Sequence, residues 1–246
     1  MAYIQEVLGN ADRCICTVNN HQAILMNIFI VIPTYNEGRT IGPIVRDLAE
    51  MGFRIVVVDD GSNDNTIIDA NRFGAELIAH AKNRGKGHCI REGLEHALEN
   101  NCDVVITMDG DGQHSLADIP KFIEEYKNSG ADIIIGNRLH NPKKMPFIRW
   151  CTNLFMSFML SIIVAEKIED SQCGYRLISK RAIEKMKLNT AKYEIESEML
   201  LEAKKNSLKI CSVNIDSIYQ GESSQINPFF DTIRFIKLII NEYTRR

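Results

Sequence analysis

No Cys-x-x-Cys pair occurs in the 246 residues: the seven cysteines (Cys14, Cys16, Cys89, Cys102, Cys151, Cys173 and Cys211) are odd in number and scattered. That excludes a disulfide framework and a thiolate zinc site, and it fits a reducing, cytoplasmic compartment. The uncharged, largely apolar segment from Trp150 to Ala165 is shorter than the roughly 20 residues that a membrane-spanning helix needs. No transmembrane span is therefore expected, while peripheral contact with a bilayer surface stays open. The first 25 residues mix Glu6, Asp12, Arg13 and Asn19 into weak apolar runs, so a cleavable signal peptide is not expected either. Net charge is only -3, which gives no electrostatic reason to expect nucleic acid as a partner. Gly-x-Gly-x-x-Gly is absent after the first strand, which disfavours hydride transfer. Asn83 to Gly87, Asn-Arg-Gly-Lys-Gly, is not a Walker loop, because the spacing and the Ser or Thr after the lysine are missing.

What is present is a regular alternation of short apolar runs and amphipathic segments, with 45% apolar residues, enough for one substantial core. Residues 1–26 show no sustained period and read as an N-terminal appendage, with Met26 a candidate internal start. From Asn27 the pattern predicts strands at Ile28 to Ile32, Ile55 to Val58, Glu76 to Ala79, Val104 to Met108 and Ile133 to Ile135. Helices are predicted between them, the first with Thr40 as N-cap and Pro43 in its first turn. Strands that are apolar throughout and alternate with helices predict an α/β fold, a doubly wound, mostly parallel sheet flanked by helices. The later part reads as less regular and helical, with Trp150 to Ala165 a helix, Asp170 to Arg176 a polar loop, Glu194 to Lys205 a helix and Leu208 to Ile218 a strand. Residues 27–224 are then the main domain, and 225–246 an amphipathic C-terminal helix ending in Arg245-Arg246.

In such sheets ligands bind outside the carboxyl ends of the strands. The chemically rich residues fall there: Pro33-Thr34-Tyr35-Asn36-Glu37, Asp59-Asp60-Gly61-Ser62, Asp109-Gly110-Asp111-Gly112-Gln113 and Gly136-Asn137-Arg138. Asp109 and Asp111, delivered together to one turn, raise each other's pKa unless a cation sits between them. Hard oxygen ligands of this kind suit Mg2+ or Mn2+. A divalent metal and phosphate site is the chemistry they predict, against the blander reading of a polar turn capping the next helix.

These four segments, in this order and with His114 completing the third, closely resemble glycosyltransferase family 2, the inverting nucleotide-sugar transferases. Asp170-Ser171-Gln172-Cys173-Gly174-Tyr175-Arg176 and Gly221-Glu222-Ser223 are similar to signatures of its dolichyl-phosphate and polyprenyl-phosphate branch. The resemblance implies a nucleotide-diphosphate sugar as donor, of the GDP-mannose or UDP-glucose type, and a polyprenyl or dolichyl phosphate as acceptor. Carried over, it implies that Pro33, Tyr35, Glu37 and Asp60 hold base and ribose. It adds Val58, Lys86, Asp109 and Gly110 to the nucleotide-sugar site, and makes Asp109, Asp111 and Gln113 the metal ligands.

A lipid phosphate is already ionised and needs cations rather than a base; Arg138 and Arg149, with Asn153 and Arg176 in support, are the residues expected to dock it. A sugar hydroxyl would need a base. Asp170 is the candidate, unless it orients Arg176. Asp111, Arg138 and Asp170 are thus the expected catalytic residues. Phe155, Met156, Met159, Leu160, Ile162 and Ile163 are candidates to shelter the lipid. Family members often carry an Arg just before the Gly-Glu-Ser segment and a Lys just after it, where this sequence has Ile218 and Ser224. That departure leaves Lys86 or Arg84 to supply the charge, and keeps a non-catalytic nucleotide-sugar-binding protein as an alternative. A haloacid-dehalogenase-like phosphatase also uses Asp-x-Asp, but after its first strand, whereas here the motif follows the fourth.

Overall fold

A computed structural model describes residues 14–16, 24–142 and 145–216, with Ile218, Phe235 and Ile239. Most of the N-terminal appendage, the Gly221-Glu222-Ser223 segment and the expected C-terminal helix lie outside the described residues. Two short strands, β1 (Cys14–Cys16) and β2 (Ile24–Met26), pair antiparallel ahead of the main sheet. Then follow β3 (Ile28–Thr34), α1 (Ile41–Glu50), β4 (Arg54–Asp59), α2 (Thr66–Arg72), β5 (Glu76–Ala79), α3 (Lys86–Glu99), β6 (Val104–Thr107), α4 (Ile119–Ser129) and β7 (Ile133–Asn137). The second part holds α5 (Phe147–Val164), β8 (Arg176–Ser179), α6 (Lys180–Lys185), α7 (Ile195–Lys205) and β9 (Ile210–Asn214).

Seven strands form one sheet in the order β5-β4-β3-β6-β8-β7-β9. β3, β6 and β7 are buried along their whole length, as expected of strands covered on both faces. α1 turns Ile41, Ile44, Val45 and Leu48 inward. α3 lies so close to the sheet that a Cβ on Gly93 would collide with Val31. The predicted α/β class therefore holds, with one addition: β8 runs antiparallel between β6 and β7. Its four residues directly follow the polar loop and are too few to show a period. Inserting β8 moves the ends of β7 and β9 away from those of β3, β4 and β6. The crevice thus has two walls, one from each group of strands.

Thr40 does not cap α1 with its side chain. Its hydroxyl instead donates to the Gly110 carbonyl at 2.6 Å and ties the first loop to the Asp109–Asp111 turn.

Candidate active site

The first wall begins where β3 and β4 end. Pro33 and Val58 face each other in that ladder, and the Val58 side chain lies wholly in the core, so only its main chain can serve a ligand. Asp59 folds back on its own turn, accepting hydrogen bonds from the Gly61 and Ser62 amides at 3.1 and 2.9 Å. Asp60 points the other way and accepts from the Arg84 and Gly85 amides at 2.7 and 2.8 Å. Asn36, at φ 58°, exchanges hydrogen bonds with Ser62 and Asn63, while the Glu37 amide donates to Thr66. Tyr35 stands exposed at the rim. The first two motifs therefore share one bonded loop system.

The turn after β6 presents Asp109 and Asp111. Lys86, at the start of α3, places Nζ 2.6 Å from Asp109 Oδ1 and 2.8 Å from Glu196 Oε1 on α7. Gly174 leaves room for this cluster, since a Cβ there would lie 2.9 Å from Nζ. Burial disfavours the Lys86 charge, but the two carboxylates outweigh it and raise its pKa. Burial likewise works against ionised Asp109, yet the Lys86 ammonium holds it below the usual carboxylate range. Asp111 goes the other way: burial and then the neighbouring Asp109 charge push it up to about 6. One Asp111 oxygen accepts the Gln113 amide at 2.9 Å. His114, stacked on Tyr175 and lowered to about 4 by burial, is neutral, and its Nδ1 accepts the Asp109 amide.

Two close carboxylates, one of them strained towards protonation by the other, form a donor set that fits a hard divalent cation. Asp109 and Asp111 would hold such an ion, with Gln113 beside them. The Gln113 carbonyl accepts the Ile218 amide, so Ile218 does sit against this turn.

The second wall is built around Arg138, just after β7. Its Nε and Nη2 lie 2.8 and 3.0 Å from the two Asp170 oxygens, and Asp170 is completely buried. Asp170 therefore orients Arg138, not Arg176, and with both oxygens engaged it is badly placed to act as a base. Arg176 is also corrected. Its guanidinium is buried and donates to the carbonyls of Cys173, Ser171 and Glu196, so it braces the Asp170–Arg176 loop against α7 rather than facing a ligand. Arg149 and Asn153, one turn apart on α5, do line the cleft, together with Lys86, Asp109, Arg138 and Glu196. The apolar residues of α5 divide. Met156 and Leu160 are core, Met159 and Ile163 pack against it, and Phe155 and Ile162 are exposed.

Sequence reasoning missed Glu196, His80 and Glu92. Glu196 falls on an amphipathic helix with no motif around it, and its only possible signal was an acidic residue in a segment that buries nearly everything: α7 buries Ile195 to Ala203 without a break.

The family model Glycosyl transferase family 2 matches residues 29–187. A UDP-N-acetylglucosamine–dolichyl-phosphate N-acetylglucosaminyltransferase of Methanococcus voltae is 35% identical over 215 residues, covering 78% of this chain and 86% of that protein. A dolichol-phosphate mannosyltransferase of Pyrococcus furiosus is 31% identical over 225 residues, 86% of this chain and 63% of that one. Among solved structures, glucosyl-3-phosphoglycerate synthase of Mycobacterium tuberculosis, in complex with Mn2+, UDP and glucosyl-3-phosphoglycerate, superposes with a TM-score of 0.68 at 16% identity, over 89% of this chain and 78% of that one. That likeness speaks for the fold.

Proposed function

Because the chain belongs to glycosyl transferase family 2, and so is a glycosyltransferase, we propose that it moves a hexose from a nucleotide-diphosphate sugar to a polyprenyl or dolichyl phosphate. The observation that carries this reading is the polarity of the cleft. One wall offers Asp109, with Asp111 in the same turn, the other Arg138, Arg149 and Asn153, and Asp170, the carboxylate beside Arg138, is locked into an ion pair with it.

On the donor wall, Pro33, Tyr35, Glu37 and Asp60 surround the nucleoside, with the Val58 main chain and Gly110 closing the site. Asp109 and Asp111, with Gln113, would hold a Mg2+ or Mn2+ ion, which would supply positive charge to the diphosphate leaving group. Lys86 then stands where leaving-group charge builds up and supplies the cation that the sequence lacks at positions 218 and 224. On the acceptor wall, Arg149 and Asn153 receive the phosphate while Arg138, held rigid by Asp170, aims it. An ionised phosphate oxygen attacks the anomeric carbon directly, so no base is needed. Relatives that use dolichyl phosphate support this acceptor.

The outer face of α5 gives the lipid a surface to arrive from. Phe147, Ile148, Leu154, Phe155, Phe158 and Ile162 are exposed on it, while the inner face carries Arg149 and Asn153. By length and composition α5 could cross a bilayer. Its buried side, however, is held by hydrogen bonds that the Ser171 and Ile168 amides donate to the Ser157 and Ser161 hydroxyls. The helix is better suited to lie along the cytoplasmic face of a membrane than through it.

A hydroxyl acceptor is the second reading, favoured by one atom of a cleft-lining carboxylate: Glu196 Oε2 is buried and has no hydrogen-bond partner among the described residues. Incubation with Mn2+, short-chain polyprenyl phosphate and a panel of labelled GDP- and UDP-sugars, UDP-N-acetylglucosamine included, separates the two. Label entering the organic phase names the donor. If every label stays aqueous although one donor binds, the lipid acceptor is wrong.

A further inference from the structure

Behind Asp60, the chain leaves β5 at His80, whose side chain is 6% exposed and lies between two carboxylates. Nδ1 is 2.9 Å from Asp60 Oδ1, and Nε2 contacts Glu92 Oε2 on α3. An imidazole with a carboxylate at each nitrogen is satisfied at both only when both nitrogens carry protons. Asp60 uses its remaining capacity on the Arg84 and Gly85 amides. That loop has little freedom: Gly85 sits at φ 100° with no room for a Cβ against the Ala191 carbonyl, and two residues on the Gly87 amide donates to the same carbonyl. Between them Lys86 reaches into the cleft to Asp109. A shift of Asp60 would therefore reach both the nucleoside site and Lys86.

We propose that His80 is a positioning residue: as an imidazolium shared by Asp60 and Glu92, it locks the Asp60 carboxylate onto the Arg84–Gly85 backbone and so shapes the donor-nucleotide site. The proposal rests on the placing of Asp60 in that site. The groups facing the ring are Asp60 from the end of β4 and His88, Cys89 and Glu92 from α3, with Arg84 paired to Glu92 beside them. Burial lowers the His80 pKa, but the Asp60 and Glu92 carboxylates outweigh it and the net direction is up. Glu92 is lowered in turn, chiefly by His80 against the cost of burial. The sign follows: the lock is complete below the ordinary histidine pKa and is lost as pH rises through the raised one. His80, His88 and Glu92 also lie close enough to share a metal ion. Arg84 Nη1, 3.3 Å from Glu92 Oε1, and Arg91 Nη2, 3.0 Å from His88 Nδ1, already bring positive charge to those ligand atoms, which favours a proton over a metal.

The test is titration calorimetry of UDP and of GDP on the whole chain with saturating Mn2+, from about pH 6.5 to 9, spanning the range in which a raised histidine titrates. Wild-type affinity for the nucleotide that binds should fall about tenfold across the range, the weight of one charge-assisted hydrogen bond. His80→Gln should start about tenfold weaker at the acid end and show a flat profile, and Glu92→Gln should move the fall to lower pH. Nitrogen-15 NMR of the wild-type protein reads the same state without a variant, both His80 nitrogens being protonated at the acid end of that range. A single neutral tautomer there, or a His80→Gln profile identical to wild type while Asp60→Ala loses the nucleotide, overturns the positioning role alone. If Asp60→Ala binds nucleotide as well as wild type, the placing of Asp60 fails, and the proposal with it.

Discussion

Across the cleft, charge is handled in two ways. On the donor wall Asp109 and Asp111 stand at the end of a parallel strand with Lys86 as their nearby cation, and Asp111 is left raised to about 6. On the acceptor wall Arg138 is matched, oxygen by oxygen, by a completely buried Asp170. The first arrangement is incomplete without a ligand and the second is complete without one. A wall proposed to receive a metal and a diphosphate keeps one carboxylate, Asp111, without a matching cation. A wall that must present one cation at one angle spends a carboxylate to fix it.

The sharpest way to break this contrast is Asp111→Ala, which removes the uncompensated charge. With an intact fold, sugar transfer should fall about a thousandfold, the scale of losing one dominant electrostatic contact in the transition state. Calorimetry should show Mn2+ binding weakened in parallel. The same carboxyl sets a pH limb: being raised by burial and by Asp109, it takes up a proton as pH falls through about 6, so Mn2+ affinity should drop below that pH. Wild-type activity in the variant would reduce the Asp-x-Asp turn to loop structure.

Asp170→Asn tests the other wall, and here stability should move first. Breaking a buried ion pair by removing one partner costs about 3 to 5 kcal/mol, read as a lower denaturation midpoint. Acceptor KM should rise with it as Arg138 loses its aim. Were Asp170 a general base, the variant would instead keep its stability and lose kcat.

These two walls also differ in how far the sequence announces them. Asp60, Asp109 and Asp111 lie within four residues of strands whose apolar runs are plain, so strand end and chemistry are read together. The Arg138–Asp170 pair joins residues 32 apart across α5, and β8, which makes that closure possible, has only four residues. Arg176 misled for a related reason. A guanidinium in a polar loop looks like a ligand group until three backbone carbonyls are found around it, and carbonyl positions are set by tertiary folding. Glu196 was hidden in the same way, by a helix that reaches the cleft only once α7 has docked on α5.

A milder effect is expected from Arg149→Ala, because Arg149 sits on the open side of the acceptor wall and carries no ion pair among the described residues. Losing one charge-assisted hydrogen bond of about 1.5 to 3 kcal/mol should raise KM for polyprenyl phosphate roughly ten- to a hundredfold. Donor binding and the denaturation midpoint should stay put. An unchanged KM would move the phosphate to another part of the wall.

The smallest change concerns the face of α5 that touches neither wall. Phe155 and Phe158 are 51% and 61% exposed, so replacing both by Ser removes little from the core and should leave the fold and the turnover of a water-soluble short-chain acceptor almost unchanged. A bilayer would see the difference. Each ring is worth about 1.5 to 3 kcal/mol when fully buried, and a shallow insertion recovers part of that. Binding to anionic vesicles should therefore weaken about tenfold for the pair. Vesicle sedimentation with the double variant reads this directly. If both proteins sediment alike, the exposed face of α5 is not the membrane contact, and the acceptor must enter the cleft past Arg149 by another route.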